Sequence, residues 1–294
     1  ALLLVGGRLI VRALAPLDRM ATIAGQISTG SDLGDRMPDA DPYSEVGRLG
    51  MAINTMLGRL ESAFRAKAES EQRVRNFAAD ASHELRTPLT TILGYAELYR
   101  QGAIPDEELP EAMRRVEGEA TRMSKLVGEL LELARLDRAG SLELATRDLA
   151  ELVRDMTGDA ASLEPEREFT LDVPDRLFWQ IDETRFRQIL ANLLGNVREH
   201  TPPDTPVTVR LHADGDEVVL AVTDAGPGMS AEDAARVFDR FYRGTRAPGG
   251  GSGLGLPIVQ AIADAHGGTV TLDTRPGEGT TVTVRIPAAD RSRD

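Results

Sequence analysis

The sequence predicts a multidomain protein in which an all-α amino-terminal half precedes an α+β sandwich. Two patterns indicate this division. Up to about residue 140, apolar residues recur at the spacing of helical seams, whereas short alternating segments typical of strands follow. Hydrophobic residues make up 41% of the chain and aromatic residues only 4%, which suits aliphatic cores in helical bundles and mixed layers.

The composition excludes several classes of function. The formal net charge is -13, and the chain shows no basic stripe that could neutralise the phosphates of a nucleic acid. The absence of cysteine excludes disulfides and thiolate metal sites, and the four histidines are too scattered for a zinc site. We therefore expect no nucleic-acid partner.

Residues 1–12 suggest the cytoplasmic end of a truncated transmembrane helix. Residues 1–7 are apolar, and Arg8 and Arg12 provide a positive flank. Since a spanning helix needs roughly 20 apolar residues, this segment cannot cross a bilayer alone. A frayed amphipathic helix of a soluble protein explains these residues equally well.

Residues 13–64 contain two amphipathic stretches joined by a polar connector. The first opens at Pro16, and residues 28–42 form the connector, which is rich in Gly, Asp and Pro. The second stretch carries a coiled-coil seam. Its members are Val46, Leu49, Ile53, Met56 and Leu60. Together with the sequence Glu45-Val46-Gly47, this arrangement resembles a HAMP signal-relay module, and an ordinary helical hairpin is the alternative.

Residues 65–140 predict a helical hairpin that dimerises. Its first helix has one apolar stripe and its second has one seam. The stripe comprises Val74, Phe77, Ala81, Leu85, Pro88, Ile92, Tyr95 and Tyr99, and the seam comprises Val116, Ala120, Met123, Val127, Leu130 and Ala134. A lone hairpin cannot bury both faces, whereas two hairpins can form a four-helix bundle. We therefore expect a homodimer.

His83 stands in the first helix of this hairpin, on the face opposite the apolar stripe. A lone histidine in such a place is usually an ordinary surface residue. Its neighbours give it a possible chemistry. Glu84 can hydrogen-bond one ring nitrogen and leave the other nucleophilic. Thr87 follows one turn later on the same face, and Pro88 removes one helical hydrogen bond.

Residues 141–288 predict an α+β domain, followed by a tail at 289–294. The expected strands are 169–173, 177–181, 206–211, 217–223, 269–273 and 280–286. The expected helices are 182–200, capped by Asp182, and about 253–266. We predict one mixed sheet with helices on one face.

Three motifs in this domain suit a bound nucleotide. Asn192 and Asn196 share a helix face and offer neutral amide oxygens to a Mg²⁺ that already carries phosphate oxygens. Asp224 follows a strand in the sequence Asp-Ala-Gly-Pro-Gly, where its carboxylate can accept a hydrogen bond from the amine of adenine. Residues 249–256 form a Gly-rich loop that enters a helix, where backbone N–H groups can hold phosphate. Each motif alone also fits an ordinary helix, turn or linker.

Six motifs in order resemble those of sensor histidine kinases of two-component systems, over roughly residues 75–287. They are His83-Glu-Leu-Arg-Thr-Pro, the two-Asn helix, Asp224-x-Gly-x-Gly228, Phe238-Asp-Arg-Phe-Tyr, the Gly-rich lid and Gly277-Glu-Gly-Thr280. The resemblance implies a dimeric bundle that carries the phosphoacceptor, followed by a Bergerat-type ATP-binding domain. It also implies that this is the cytoplasmic region of a kinase anchored in the cell membrane.

The resemblance further implies a role for each matching residue. His83 accepts the γ-phosphate of ATP with Glu84 beside it, Thr87 orients water for removing phosphate from the regulator, and Arg240 stabilises charge on the γ-phosphate. Asn196 is the expected Mg²⁺ ligand. The expected nucleotide-binding residues are Asn192, Asn196, His200, Asp224, Gly226, Gly228, Gly251, Gly253, Leu254, Gly255 and Thr280.

The implied activity is autophosphorylation of His83 with ATP and Mg²⁺, then transfer to an aspartate of a response regulator, with phosphatase activity toward that regulator. ATPases of the same fold place a Glu four residues before the Mg²⁺-binding Asn. Here that position is Asn192, which cannot take a proton, so hydrolysis is disfavoured. A non-catalytic signalling scaffold is a third interpretation.

One position departs from the family. Glu199 stands where Lys or Arg is common, and an acidic group beside a triphosphate is unfavourable. We expect either that Glu199 points away from the phosphates or that Arg198 and His200 supply the contact.

Overall fold

The computed structural model describes residue 36 and residues 45–136, 142–244 and 251–288. The predictions for residues 1–12, for the first HAMP-like stretch, for residues 245–250 of the lid (residues 238–253) and for the tail therefore lie outside the described residues. The chain forms two compact units, residues 1–79 and 80–294, which are considered one at a time.

In the first unit, helix α1 (Glu45–Arg100, which continues into the second unit) leaves most of its predicted seam open. Leu49, Met56 and Leu60 are 49%, 60% and 42% exposed, whereas Leu57, outside the predicted seam, is buried. Arg36 pairs with Glu61 at 2.7 Å. An open apolar seam is the state of a coiled-coil helix before a second helix covers it.

In the second unit, the rest of α1 and helix α2 (Leu109–Leu136) form the predicted hairpin. The first helix ends at Arg100, and Gly102 then adopts a left-handed φ of 67°. The Tyr95 hydroxyl accepts a hydrogen bond from Arg115 across the hairpin at 2.8 Å. Several large apolar residues remain exposed on the two helices. They are Leu89, Leu93, Leu98, Tyr99, Met113, Val127 and Leu131.

The remainder of the second unit contains the α+β domain. Its elements in chain order are β1 (Ala145–Asp148), α3 (Leu149–Leu163), β2 (Phe169–Asp172), β3 (Phe178–Ile181), α4 (Glu183–His200), β4 (Val207–Asp214), β5 (Glu217–Asp224), α5 (Ala231–Arg236), α6 (Gly255–Ala265), β6 (Thr269–Arg275) and β7 (Gly279–Pro287). Each predicted strand and helix is present, with ends displaced by a few residues. The elements β1, α3 and α5 were not predicted.

The predicted mixed sheet is present, but it contains five of the six predicted strands and the sixth lies in a second sheet. Five strands lie in the order β2-β4-β5-β7-β6, with β2 parallel to β4 and the other pairs antiparallel. The remaining strand, β3, pairs instead with β1 in a separate antiparallel ribbon. The ribbon is held at Asp148, which accepts hydrogen bonds from the N–H groups of Ala150 and Leu177 at 3.1 and 3.0 Å.

The core lies between the five-stranded sheet and the helices α4 and α6. Its fully or almost fully buried members include Phe186, Ile189, Leu190, Leu193, Val209, Leu211, Leu220, Val284, Ile258 and Ile262. Burial of one such side chain contributes about 1.5–3 kcal/mol. Asp182 caps α4 as predicted, since its carboxylate accepts a hydrogen bond from the Arg185 N–H at 3.1 Å. This core fixes the ends of β5, α4 and α6 relative to one another.

Over the described ranges of the chain, no helix combines the length and the apolar character that a membrane span requires.

Candidate functional site

Asp224 is a buried carboxylate at the end of the central strand β5. It is 8% exposed, and its Oδ1 accepts a hydrogen bond from the Gly226 N–H at 2.8 Å. Burial raises the pKa of Asp224 above its ordinary value, and hydrogen bonds from the backbone N–H groups of Gly226 and Thr280 oppose this shift. A carboxylate kept in this setting suits recognition of a ligand that donates a hydrogen bond.

Arg167 is a buried side chain that links the segments beside Asp224, and this role was not predicted from the sequence. It is 5% exposed and donates to Glu164 at 2.7 Å, to the Thr201 hydroxyl at 2.8 Å and to the Thr205 carbonyl at 2.9 Å. A Cβ atom on Gly226 would stand 2.6 Å from the Thr201 methyl group. Glycine is therefore required at position 226 because Thr201 occupies the adjacent space.

The Asp-x-Gly-x-Gly and Gly-x-Gly-Thr motifs meet in one tight structure. A Cβ on Gly228 would lie 1.9 Å from the Arg275 carbonyl oxygen, and one on Gly279 would lie 2.0 Å from the Asp224 carbonyl oxygen. The Thr274 and Thr280 hydroxyls are 3.0 Å apart. These two motifs, which are far apart in the sequence, thus form one surface of the site, in which Thr280 lies beside Asp224.

This close contact gives a prediction with an internal control. Gly277 and Gly279 have the same left-handed backbone, with φ of 83° and 85°, but a Cβ on Gly277 would meet nothing within 4 Å. We expect Gly277→Ala to lower the free energy of unfolding by about 1–2 kcal/mol through backbone strain alone. Gly279→Ala should cost at least about 4 kcal/mol because it adds a backbone clash. Urea unfolding of both variants measures the difference, and equal losses would contradict the close approach.

Asn196 faces the start of helix α6. Its Oδ1 lies 3.1 Å from the position of a Cβ on Gly255, the first residue of α6. The N-cap residue Leu254 supplies no side-chain hydrogen bond, so backbone N–H groups of the first turn are available to an anion. One turn earlier, Asn192 Nδ2 is buried with no hydrogen-bond partner among the described residues.

This donor set fits Mg²⁺ that is carried in with phosphate. The described residues hold no group of three His, Asp or Glu side chains that could bind a metal by themselves. A neutral amide oxygen beside an uncapped helix start instead suits a hard cation whose other ligands are phosphate oxygens.

The described ends of the lid pack tightly. The Phe241 N–H donates to the Gly253 carbonyl at 3.0 Å, and a Cβ on Gly253, where φ is 69°, would lie 2.8 Å from the Tyr242 carbonyl oxygen. A Cβ on Gly251 would lie 2.8 Å from Glu199 Oε2 and 4.0 Å from His200 Nε2. The structure thus places Gly251, His200 and the start of α6 close to the Asn196 end of α4.

Arg240 lies in the wall of a different space. It lines a cavity of about 820 Å³ together with Arg135 of α2 and with Pro257, Gln260 and Asp264 of α6. None of the other candidate nucleotide-binding residues lines this cavity. The role of Arg240 at the γ-phosphate therefore stays a prediction.

His83 is exposed, as the helical geometry predicts, and so faces away from the apolar stripe. Its neighbour Glu84 is half-buried and lines a small crevice with Pro88 of the same helix. Ser252, at the end of the lid, lines the same crevice. The histidine-bearing helix and the end of the lid of one chain therefore border the same crevice in the second unit.

Glu199 turns toward helix α2. Its Oε1 lies 3.1 Å from Lys125 Nζ. One of the two expectations is that this carboxylate points away from the phosphates. In the structure its partner, Lys125, lies outside the α+β domain. Arg198 and His200 are both exposed.

Three family models match the chain. The model described as Histidine kinase-, DNA gyrase B-, and HSP90-like ATPase matches residues 181–290. The His Kinase A (phospho-acceptor) domain matches residues 73–139, and the HAMP domain matches residues 8–62. The three matches follow one another in the predicted order.

Two relatives from Mycobacterium tuberculosis resemble most of the chain. The protein named "Probable sensor histidine kinase TcrY" is 43% identical over 291 residues, which cover 95% of this chain and 61% of TcrY. "Sensor histidine kinase TrcS" is 40% identical over 299 residues, which cover 95% of this chain and 58% of TrcS. The chain thus spans less than two thirds of the length of either relative.

A solved structure shows the same fold. It is the histidine kinase ThkA in complex with the response regulator protein TrrA, with a TM-score of 0.63 and 24% identity. The match covers 78% of this chain and 66% of the ThkA chain. The α+β domain and its helical neighbour are therefore a fold already known in histidine kinases.

Proposed function

Because this chain belongs to the sensor histidine kinases of two-component systems, we propose that it uses ATP to phosphorylate its own His83. We further propose that the phosphoryl group then passes to an aspartate of a cognate response regulator. The observation that supports this most is the crevice that is lined both by Ser252 of the lid and by Glu84, the neighbour of the exposed His83.

The chemical step follows from these positions. A neutral ring nitrogen of His83 attacks the γ-phosphorus, the bond from phosphorus to the bridging oxygen breaks, and ADP leaves with that electron pair. In this proposal Glu84 holds the proton of the second ring nitrogen as positive charge develops on the ring. A phosphohistidine and ADP are the products.

The nucleotide-binding residues would hold ATP both at its adenine and at its phosphates. Asp224 accepts a hydrogen bond from the adenine amine, and the first N–H groups of α6 donate to the phosphates. Asn196 would give an oxygen ligand to Mg²⁺, which supplies charge neutralisation on the phosphates when bound. Asn192 carries an amide where a general base for water would be needed, so transfer to His83 is favoured over hydrolysis.

We also propose the assembly in which this region works. The exposed apolar residues along α1 and α2 support a homodimer through a four-helix bundle. The match to a HAMP domain supports a membrane-anchored protein whose kinase region lies in the cytoplasm. The proposed domains are 13–64, 65–140 and 141–288.

Incubation with γ-labelled ATP tests the proposed reaction. The kinase hypothesis requires label on the protein that is stable in base and labile in acid, as expected for a phosphohistidine. Free phosphate without labelled protein would indicate an ATPase, and neither product would indicate a scaffold. Either of these two results would reject the proposal.

A further prediction concerns Thr87 and the phosphorylated regulator. Thr87 is exposed one turn after His83, so a regulator that docks at His83 also covers this hydroxyl. We propose that Thr87 orients the water that removes phosphate from the regulator. Thr87→Ala should slow that decay by about tenfold while it spares autophosphorylation.

The measurement is the decay of phospho-regulator with kinase and ADP added. Thr87→Ser is the matched control because it keeps the hydroxyl, and it should retain most of the phosphatase activity. Decay with Thr87→Ala that is as fast as with the wild type would remove this role.

A further inference from the structure

An ion pair joins the helical hairpin to the nucleotide-binding part of the same chain. Lys125 on α2 places its Nζ 3.1 Å from Oε1 of Glu199 on α4, although 74 positions separate the two residues. Lys125 is one of only two lysines in a chain whose other basic residues are all arginines. Its side chain is 57% exposed and that of Glu199 is 28% exposed, so water reaches the pair.

The pair lies where three functional elements meet. Glu199 follows Asn196 by three residues on α4, and its second oxygen lies 2.8 Å from the position of a Cβ on Gly251 of the lid. Lys125 lines the crevice that also contains Glu84 and Ser252. The Lys125–Glu199 pair thus lies beside helix α4, the end of the lid and the crevice next to the phosphoacceptor His83.

A second ion pair of opposite polarity lies further along the same two helices. Glu132 is seven residues, or two turns, after Lys125 on α2, and it pairs with Arg185 near the start of α4. Helix α2 therefore presents a positive and then a negative charge on one face. Helix α4 carries the complementary charges, Arg185 near its start and Glu199 near its end, so the two pairs favour one relative orientation of α2 and the nucleotide-binding domain.

From this geometry we propose that Lys125 and Glu199 are positioning residues for phosphoryl transfer. They seat the nucleotide-binding domain on α2 of its own chain, so that the lid faces the turn that carries His83. This inference rests on the proposed kinase function. Neither side chain acts on the reacting atoms. Since an exposed ion pair is weak and sensitive to salt, such a contact can form for autophosphorylation and then separate.

A charge-reversal cycle on the whole chain tests the kinetic consequence. Lys125→Glu and Glu199→Lys should each lower the rate of autophosphorylation by about fivefold. The double reversal should return the rate to within about twofold of wild type, because the opposite charges again face each other. In Lys125→Glu, binding of a fluorescent ATP analogue should remain unchanged. Lys67→Glu, which alters the only other lysine, is the control for net charge.

Cross-linking tests the contact without requiring activity. The chain has no cysteine, so Arg122→Cys combined with Ser252→Cys, which line the same crevice and leave the ion pair intact, provides one pair of thiols per chain for a short bis-maleimide. We expect a product cross-linked within one chain, which keeps the mass of a monomer on a denaturing gel. Cross-linking between chains, or none, would overturn seating on the chain's own helix.

The two experiments separate the possible failures. An intrachain cross-link in a protein that transfers no phosphate would reject the proposed function and leave the docking contact standing. An active enzyme whose single reversals match wild type, or whose double reversal is as slow as the singles, would overturn the positioning role.

Discussion

Replacing His83 with glutamine is expected to abolish autophosphorylation, with a loss of at least about 1,000-fold in acid-labile label from γ-labelled ATP. Glutamine fills a similar volume and keeps polar atoms at the surface, but it has no nucleophilic nitrogen. Because His83 is exposed on α1, outside the α+β domain that carries Asp224 and Asn196, ATP binding should remain within about twofold of wild type.

The matched control for this substitution is His212→Gln. His212 is also exposed, on strand β4, and its replacement should leave both labelling and ATP binding unchanged. Persistent acid-labile label on the His83 variant would show that another residue accepts the phosphate.

The second large effect is expected at Asp224. Asp224→Asn should weaken ATP binding by about 10–100-fold, which corresponds to ~1.5–3 kcal/mol, because the amide can present a donor where adenine needs an acceptor. The same change should leave the free energy of unfolding unchanged or higher. The reason is that an uncharged amide avoids the cost of burying a carboxylate.

The dependence on pH follows from the raised pKa of Asp224. Since burial favours the protonated form, folding is weakened above this pKa, and the free energy of unfolding should rise as pH falls through it. Binding of ATP should weaken over the same interval because the acceptor is lost. Asp224→Asn should remove both dependences.

Asp216→Asn, in the exposed turn at the other end of β5, is the control and should keep both dependences. Calorimetric titration with ATP and urea unfolding across acidic pH measure the two quantities. An unchanged ATP affinity in Asp224→Asn would show that adenine binds elsewhere.

Local periodicity was enough to predict most of the fold. The exposure of His83 follows from its angle to the apolar stripe, and the cap at Asp182 follows from residue type and position. Strand β1, by contrast, has the sequence Ala-Thr-Arg-Asp, which shows no apolar alternation. It forms because it pairs with β3, and no local signal records that pairing.

The features of the site that were missed depend on residues far apart in the sequence. From the sequence, Arg167 would be expected at the surface. In the structure it is buried because it donates hydrogen bonds to Thr201 and Thr205, which lie 34 and 38 positions further along the chain. The partner of Glu199 is 74 positions away on another helix. Arg240 belongs to a convincing motif, but its placement depends on how the segment after α5 packs, which sequence alone does not specify.

Because β5 is the middle strand of the five-stranded sheet, a ligand bound at its end would affect the stability of the whole domain. Asp224 ends a strand that is hydrogen-bonded along its full length to β4 on one side and to β7 on the other. The amides of such a strand exchange with solvent only when the sheet itself opens. A nucleotide held at Asp224 therefore adds its binding free energy to the stability of the entire sheet. A nucleotide bound at Asp224 as proposed would thus contribute to the resistance of this domain to proteolysis, independently of any phosphate that is transferred.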